Sequence, residues 1–311
     1  MAVTRVAIVG FGKIAQDQHV PSIAGNPAFS LAAVVSGRGV GPGNVPVFRT
    51  LPELAASGLA VDAIAVCTPP QVRHATARQA LAMGKHVLLE KPPAATLAEL
   101  ADLEAFAVAQ RRVLFATWHA QFNAAVDEAK RRLAGKRVTH LQVNWKEDVR
   151  RWHPGQAWIW QAGGFGVFDP GINALSIVTK IMPSPVFIRA ADLVFPQNCE
   201  APIAAHLAFA TSDADSGLAA DFDWRQTGEQ TWEMEIATAE GDELKLENGG
   251  ARLLVAGRPV VDRPMREYEE IYARFAEILA AGRSDVDPAP LRLVADAFLL
   301  GRRLTTAAFT E

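Results

Sequence analysis

The sequence predicts an α/β protein with two domains: a doubly wound, parallel-sheet domain over residues 1–120 and an α+β domain with a mostly antiparallel sheet over residues 121–311. Two patterns predict this division. Short apolar runs alternate with helical patterns in the first part, whereas strand-like runs follow one another in the second. The length of 311 residues is sufficient for two cores, and half of the residues are hydrophobic, as in ordinary globular domains.

Runs that are apolar on both faces mark the strands of the first domain, because helices cover both sides of such a sheet. They are VAIVG (6–10), LAAVV (31–35), VDAIAVC (61–67), HVLL (86–89) and VLFATW (113–118). Helices are predicted at residues 72–84 and 96–110, and in the second Thr96 and Glu99 have the spacing of a capping box. The residues predicted to share one face of the first helix are Val72, Ala75, Thr76, Gln79, Ala80 and Met83.

After a helix near residues 122–133, seven strand-like runs predict the second sheet. They are RVTHLQVNWKED, VFIRAADLVF, IAAHLAFA, GLAADFDW, TWEMEIAT, DELKLE and ARLLVA. Short turns at residues 240–242 and 248–250 join the later runs, which is typical of antiparallel hairpins. Two amphipathic helices, with apolar faces beginning at Tyr268 and Leu291, are predicted to close the chain.

Charge and cysteine content exclude several classes of function. The net charge is −3 (31 − 34), so we expect no nucleic-acid partner and no anionic membrane partner. No apolar run approaches the ~20 residues of a membrane span. Cys67 and Cys199 lie far apart without metal-ligand spacing, and we interpret them as reduced thiols of a cytoplasmic protein.

The segment VAIVGFGKIA has the G-x-G-x-x-A spacing of a dinucleotide-binding turn, directly after a strand and before a helix. Gly10 permits the tight turn, Gly12 lets the backbone approach a pyrophosphate, and Ala15 allows close helix packing. A plain glycine-rich turn is the alternative interpretation. The residues of this turn expected to bind the cofactor are Gly10, Phe11, Gly12, Lys13 and Ile14.

The second strand ends without the carboxylate that would select NAD through the ribose 2′-hydroxyl. Ser36 and Arg38 stand there instead, and a hydroxyl with a guanidinium suits a 2′-phosphate. We therefore predict NADP as the preferred cofactor, with NAD also used. The alternative is an exposed arginine in a flexible, glycine-rich loop.

Lys91, in GKHVLLEKPPAA, sits where a buried strand must stop, because Pro92 and Pro93 cannot donate ladder hydrogen bonds. On its own, this lysine is more typical of a solvated charge at a strand end than of a functional group. Together with GFGKIA, CTPP (67–70), His74 and EKP (90–92), however, it makes the first half resemble the glucose–fructose oxidoreductase/inositol dehydrogenase (Gfo/Idh/MocA) family.

The second half narrows this resemblance to the bacterial L-arabinose/D-galactose 1-dehydrogenases. The similar segments are WKEDVRRWHPGQAWIW, GGFGVFDPGINALSIVTKIMP and RLVADAFLLGRRLTTAAF. The resemblance implies a Rossmann domain followed by a domain with a large, mostly antiparallel sheet, whose exposed face joins subunits into a homodimer or homotetramer. It also implies oxidation of the anomeric carbon of L-arabinose or D-galactose to the lactone with NAD(P).

The resemblance also assigns roles to individual residues. It adds to the cofactor site Cys67, Thr68, Pro69, His74, Glu90 and Lys91. It implies that Lys91 reaches the reacting oxygen, either as a hydrogen-bond donor or within a proton relay.

Asp169 and Asn173 have i, i+4 spacing, so they share a helical face, although a simple Asp cap is the alternative. The broader family commonly has histidine at the second position. An asparagine amide is no base near neutral pH, so Asn173 is expected to orient the sugar while Asp169 or Lys91 takes the proton.

A carboxylate, imidazoles and indoles in the sequence suit sugar recognition, since hydroxyls need directional partners and CH faces stack on aromatic rings. The residues expected to bind the sugar are His119, Glu147, Trp152, His153 and Trp232. No compact ligand motif predicts a metal. The competing hypotheses are an inositol or other polyol dehydrogenase of the same fold and a catalytically silent NAD(P)-binding sensor.

Overall fold

The computed structural model describes residues 3–310, which divide into two compact units. The first unit runs up to His119 and also contains Glu267–Pro288. The second comprises Ala120–Arg266 and the chain from Ala289 onward. The predicted fold class is confirmed, with a parallel sheet in the first unit and a mixed, mostly antiparallel sheet in the second.

Six strands form the sheet of the first unit, and every neighbouring pair is parallel. They are β1 Thr4–Val9, β2 Phe29–Val35, β3 Val47–Phe48, β4 Ala63–Val66, β5 His86–Leu89 and β6 Leu114–Ala116. Their order is β3-β2-β1-β4-β5-β6, so the direction of winding reverses between β1 and β4. In such sheets the ligand crevice lies beyond the carboxyl ends of the strands at this switch point.

The predicted helices are present, and the structure adds others to them. In chain order they are α1 Val20–Gly25, α2 Leu51–Ala56, α3 Pro70–Ala82, α4 Leu97–Gln110, α5 Val126–Leu133, α6 Val149–Trp152, α7 Phe168–Ile181, α8 Glu267–Ala281 and α9 Ala289–Leu300. The predicted capping box of α4 is confirmed, because Thr96 Oγ1 accepts from the Glu99 amide and Glu99 Oε2 accepts from the Thr96 amide, each at 3.2 Å.

The face predicted for α3 is wrong. Val72 is 51% exposed, whereas Arg73 is only 4% exposed and lies on the buried side with Ala77 and Leu81. The apolar pattern misleads here because an arginine turns inward to bond main-chain carbonyl groups, which places Val72 on the outer surface.

The division of the chain differs from the predicted boundary at residue 120. Helix α8 belongs to the first unit, although it comes late in the chain. Its Tyr272 ring lies edge-on to Phe29 at 5.3 Å, and its Phe275 ring stacks on Phe29 at 5.7 Å and on Phe115 at 6.0 Å. These rings complete the core on one side of the parallel sheet. Sequence order could not reveal this return of the chain.

Nine strands form the sheet of the second unit, in the order β14-β13-β12-β11-β7-β10-β9-β8-β15. They are β7 Val138–Lys146, β8 Phe187–Pro196, β9 Ala204–Ala210, β10 Leu218–Asp223, β11 Thr231–Thr238, β12 Glu243–Glu247, β13 Arg252–Val255, β14 Arg258–Asp262 and β15 Arg302–Thr306. The seven predicted runs are confirmed as β7 to β13. The edge strands β14 and β15 are mostly exposed, so they lack the apolar alternation that would have predicted them.

Helix α7 is the central helix of the second unit, packed against β7, α5 and α9. A Cβ at Gly171 would lie 2.7 Å from the Phe222 ring, so glycine allows α7 to press against β10. Within residues 3–310, no helix has the length and apolar character needed to cross a lipid bilayer.

Candidate active site

The glycine turn after β1 has the geometry that a dinucleotide requires. Gly10 has φ +89°, and a Cβ there would lie 2.9 Å from the main chain of Cys67. At Gly12 a Cβ would meet nothing within 4 Å, so the backbone is open to a ligand on that side. A π-helical turn, Ala15–His19, then leads into α1. In the described part of the chain, the buried Thr68 Oγ1 after β4 has no hydrogen-bond partner, which leaves a polar group for a bound cofactor.

Two guanidinium groups lie at the end of β2. Ser36 is buried, and its amide donates to the Phe48 carbonyl at 2.8 Å. Arg38 is exposed, with Nη2 3.4 Å from the Phe11 carbonyl oxygen of the glycine turn. Arg49, which no sequence motif marks, donates from Nη1 to the Gly37 carbonyl at 3.1 Å. Positive charge therefore gathers beside the glycine turn.

The other predicted cofactor residues have varied surroundings. Phe11 is buried, Ile14 is 36% exposed, and the exposed Lys13 pairs with Asp17. Cys67 is half-buried at the end of β4. His74 bonds Asp102 on α4 through Nε2 at 2.7 Å, which ties α3 to α4.

Lys91 follows β5 and is half-buried, and the Lys91–Pro92 peptide is cis. Its amide donates to Glu90 Oε2 at 3.0 Å. Arg73 Nη1 donates to the carbonyl of Glu90 at 2.7 Å and to that of Pro92, while Nη2 donates to the carbonyl of Thr68. The main chain on both sides of Lys91 is therefore hydrogen-bonded to buried side chains.

Glu90 is the centre of a buried polar network that no sequence motif predicts. Its Oε1 accepts from Tyr268 Oη at 2.8 Å and lies 2.9 Å from His19 Nε2, and His19 Nδ1 lies 2.9 Å from Tyr272 Oη. These residues come from three distant parts of the chain, so no local spacing in the sequence predicts the network.

The electrostatics of this network favour an ion pair. Burial by itself would raise the pKa of Glu90, but hydrogen bonds from His19 and Tyr268 hold that pKa at about 2. Burial would lower the pKa of His19, but its contacts with Cys67, Tyr272 and Glu90 raise that pKa well above 6.5. A carboxylate therefore faces an imidazolium near neutral pH.

His119 also lies in the first unit, with Nδ1 2.7 Å from Glu267 Oε2 and its ring stacked on Tyr268 at 5.7 Å. Burial would lower its pKa, but the charge and hydrogen bond of Glu267 raise it. This histidine is therefore held by a carboxylate of α8.

In the second unit, the structure brings Asp169 and His153 together. Asp169 stands in the first turn of α7 and is 4% exposed, and its Oδ2 lies 3.2 Å from Nε2 of His153, which follows α6. Asn173 is half-buried one turn further along α7. An imidazole therefore contacts Asp169 although position 173 carries an amide.

The carboxylate of Glu147 is enclosed by indoles. Its Oε1 accepts from Trp224 Nε1 at 3.1 Å, and its Oε2 accepts from Trp232 Nε1 at 3.0 Å. The Trp152 ring lies 5.8 Å from that of Trp232, and the ring of His153 lies 5.2 Å from that of Trp224. The predicted residues Glu147, Trp152, His153 and Trp232 thus form one cluster, to which the structure adds Trp224.

Trp152 Nε1 is buried and has no hydrogen-bond partner among residues 3–310, so it can donate to a bound molecule. Over the same residues, no three His, Cys, Asp or Glu side chains are grouped as a metal ion would require. The cluster therefore offers hydrogen-bonding groups and aromatic faces, the combination that suits a polyhydroxylated ligand.

Known proteins resemble this chain in sequence and in fold. Residues 4–117 match the model of an oxidoreductase family with an NAD-binding Rossmann fold, Gfo/Idh/MocA. Galactose 1-dehydrogenase of Pseudomonas fluorescens is 46% identical across 99% of both chains. The crystal structure of a D-galactose-1-dehydrogenase protein from Rhizobium etli superposes with a TM-score of 0.94 at 52% identity, covering 100% of this chain and 99% of that one. A 3-ketoreductase from Actinomadura kijaniata shares the fold at 18% identity, with a TM-score of 0.84 and coverage of 98% and 100%.

Proposed function

The chain belongs to the Gfo/Idh/MocA oxidoreductase family, and we propose that it is an aldose 1-dehydrogenase that oxidises D-galactose at the anomeric carbon to the lactone. The family predicted from the sequence is thus confirmed. The observation that carries the proposal is similarity over nearly the whole chain to a galactose 1-dehydrogenase. L-Arabinose is the second expected substrate, because it shares the ring configuration of D-galactose and lacks only the exocyclic CH₂OH group.

A nicotinamide dinucleotide fits the residues of the first unit. Gly10, Gly12 and Thr68 would hold it, and when bound it accepts a hydride from the sugar carbon. We assign a preference for NADP over NAD to Ser36 and Arg38, with Arg49 as a further partner of the 2′-phosphate. The support for this assignment is the gathering of guanidinium groups at the end of β2, where the sequence has no carboxylate.

Asp169 and His153 together are the proposed acceptor of the anomeric hydroxyl proton. Nε2 of His153 lies 3.2 Å from the Asp169 carboxylate, so a proton taken by either group is shared by the pair. Asn173 cannot act as a base and orients the sugar instead. To Lys91 we assign the role that the family resemblance implies, a hydrogen bond to the reacting oxygen.

Glu147 and Trp152 are the proposed sugar-recognition groups. Glu147 accepts from Trp224 and Trp232, which holds its carboxylate, a hydrogen-bond acceptor, within the cluster. Trp152 offers a free N–H donor in the same cluster. One acceptor and one donor allow the cluster to distinguish sugars that differ in the direction of one hydroxyl.

A panel of sugars assayed with NAD and NADP tests the proposal through the absorbance of the reduced nicotinamide. We expect D-galactose and L-arabinose to be oxidised, and D-glucose, which differs from galactose only at C4, to react at least tenfold more slowly. Oxidation of myo-inositol but not of galactose would contradict the proposal and favour a polyol dehydrogenase. Reduction of neither cofactor by any sugar would favour a cofactor-binding sensor.

We further expect the protein to act in the cytoplasm as a homodimer or homotetramer joined through the exposed face of the second sheet. Light scattering of the purified protein should give two or four times the chain mass of 33.5 kDa. Ala208→Arg in β9 would place a long charged side chain on that face and should lower the measured mass. A parent protein that runs as a monomer at all concentrations would contradict this expectation.

A further inference from the structure

Arg73 is a charged residue on the otherwise apolar inner face of α3. Its neighbours on that face are Ala77, Ala80 and Leu81, and it is itself only 4% exposed. Burying a guanidinium is costly unless its N–H groups are bonded, so an arginine at this place requires a reason beyond helix packing. Its hydrogen bonds supply one.

The guanidinium joins two loops that both follow strands of the parallel sheet. Nη2 donates to the carbonyl of Thr68, after β4, and Nη1 donates to the carbonyls of Glu90, at 2.7 Å, and Pro92, after β5. Lys91 lies between the last two carbonyl groups. Because the Glu90 carboxylate also accepts from the Lys91 amide at 3.0 Å, the peptide groups flanking the lysine are held from both sides.

We propose that Arg73 is a positioning residue, which fixes the backbone carrying Lys91 relative to the loop after β4. The inference rests on the proposed function, in which Lys91 serves the reacting oxygen. Arginine is required because its planar fork reaches several carbonyl oxygens at once, whereas a lysine ammonium at the end of one flexible chain cannot occupy both ends of that fork. A misplacement of about 1 Å at a reacting group can cost about 100-fold in rate.

The test compares Arg73→Lys and Arg73→Met with Arg78→Lys on the same helix. Arg78 is a matched control because it is exposed and bonds Asp102 through Nε at 3.0 Å. We expect both Arg73 variants to lose about 10- to 100-fold in kcat, with the sugar KM and the NADP dissociation constant changed by less than about threefold. A third variant, Arg73→Ala, leaves space for a small cation, so added guanidinium ion should restore part of its kcat. Arg78→Lys should match the parent.

If Arg73→Met does not fold, Arg73→Lys, which keeps the positive charge, still tests the positioning role of Arg73. A parental kcat in Arg73→Lys would overturn the proposal. Equal losses in kcat, sugar binding and cofactor binding would also overturn it, because they would mean a general loss of structure.

Hydrogen exchange separates this proposal from the proposed function. If the parent oxidises no sugar, the proposed function has failed. The exchange rate of the Lys91 amide then still measures how firmly Arg73 holds the backbone at Lys91. We then expect at least tenfold faster exchange at residues 90–91 in Arg73→Lys, with the strands of the sheet unchanged. Exchange equal to that of Arg78→Lys would overturn the proposal.

Discussion

Asp169 is a buried carboxylate whose surroundings differ from those of a simple helix cap. It lies in the first turn of α7, where the positive end of the helix dipole favours its charge, and Nε2 of His153 lies 3.2 Å from its Oδ2. Two titratable groups this close exchange protons as a unit, so an activity profile against pH reports the pair and not either residue.

Asp169→Asn tests the proton role because it keeps the shape of the side chain and removes its charge. We expect kcat to fall by about 10²- to 10⁴-fold, the usual contribution of general base catalysis, with a smaller change in the sugar KM. Asn173→Ala is the comparison, and it should raise KM, since its role is orientation. If Asp169→Asn retains the parental rate across the pH range, the carboxylate is only structural.

Replacing Ser36, Arg38 and Arg49 together by alanine should weaken the use of NADP far more than the use of NAD. Charge-assisted hydrogen bonds contribute about 1.5–3 kcal/mol each, so the loss in kcat/KM for NADP should be at least about tenfold. Steady-state kinetics with both cofactors measure this. Equal losses for the two cofactors would show that these residues do not bind the 2′-phosphate.

Single residues show what the sequence could and could not reveal about the site. Lys91 could be proposed as a site residue from the sequence because its motif is local, a strand end followed by prolines. The partner of Asp169 was not predictable, since His153 lies outside its helix and meets it only through the tertiary fold. Arg73 and His19 were missed for the same reason: their partners lie in other loops and helices.

Individual helices and strands were predictable where the signal was local. The capping box located the start of α4, and apolar runs located the central strands of both sheets. The buried face of α3 was not predictable, because a polar side chain turned inward. The edge strands β14 and β15 were not predicted, because edge strands need not alternate between apolar and polar residues.

Helix α7 allows a test of how one element places the site. Gly171→Ala would put a methyl group 2.7 Å from the buried Phe222 ring, so either the ring or the helix must move. Overpacking of this kind typically costs about 1–3 kcal/mol. We expect a lower melting temperature and, because Asp169 stands two residues earlier, a lower kcat as well.

Gly25→Ala is the matched control, since a Cβ there meets nothing within 4 Å. Its melting temperature and kcat should stay near those of the parent. A Gly171→Ala protein with parental stability would show that the contact between α7 and β10 has room to relax.

At the scale of the whole molecule, the Glu90 network makes stability depend on pH. The pKa of Glu90 in the folded protein, about 2, lies below the usual value of 4.5. The contribution of Glu90 to the free energy of unfolding is therefore complete above pH 4.5 and is lost as the pH falls towards 2. The pKa of His19 in the folded protein lies well above the usual 6.5. The contribution of His19 to the free energy of unfolding is therefore complete below pH 6.5 and is lost as the pH rises through the pKa of the folded protein. The network therefore stabilises the fold most between about pH 4.5 and 6.5.

Glu90→Gln should lower the free energy of unfolding by about 3–5 kcal/mol near pH 6, because it leaves His19 buried without its counter-charge. The difference from the parent should shrink towards pH 2, where the parent carboxylate is itself protonated. Urea unfolding at several pH values measures both effects. Glu128→Gln, at a surface pair with Arg131, is the control and should leave the free energy of unfolding nearly unchanged, because exposed ion pairs contribute little. A constant difference at every pH would contradict the ion-pair assignment.

The return of α8 to the first unit has a consequence for how the protein is made. The ribosome releases residues 1–119 long before Glu267–Ala281, yet Tyr272 and Phe275 of that helix are part of the first core. At a synthesis rate of about 5–20 residues per second, the incomplete unit waits roughly 10–30 seconds for its last helix. During that interval Phe29 and Phe115 lack their aromatic neighbours, so the nascent chain exposes an apolar surface that a chaperone can bind. The N-terminal unit, although its synthesis begins first, therefore stays incomplete until most of the second unit has been made.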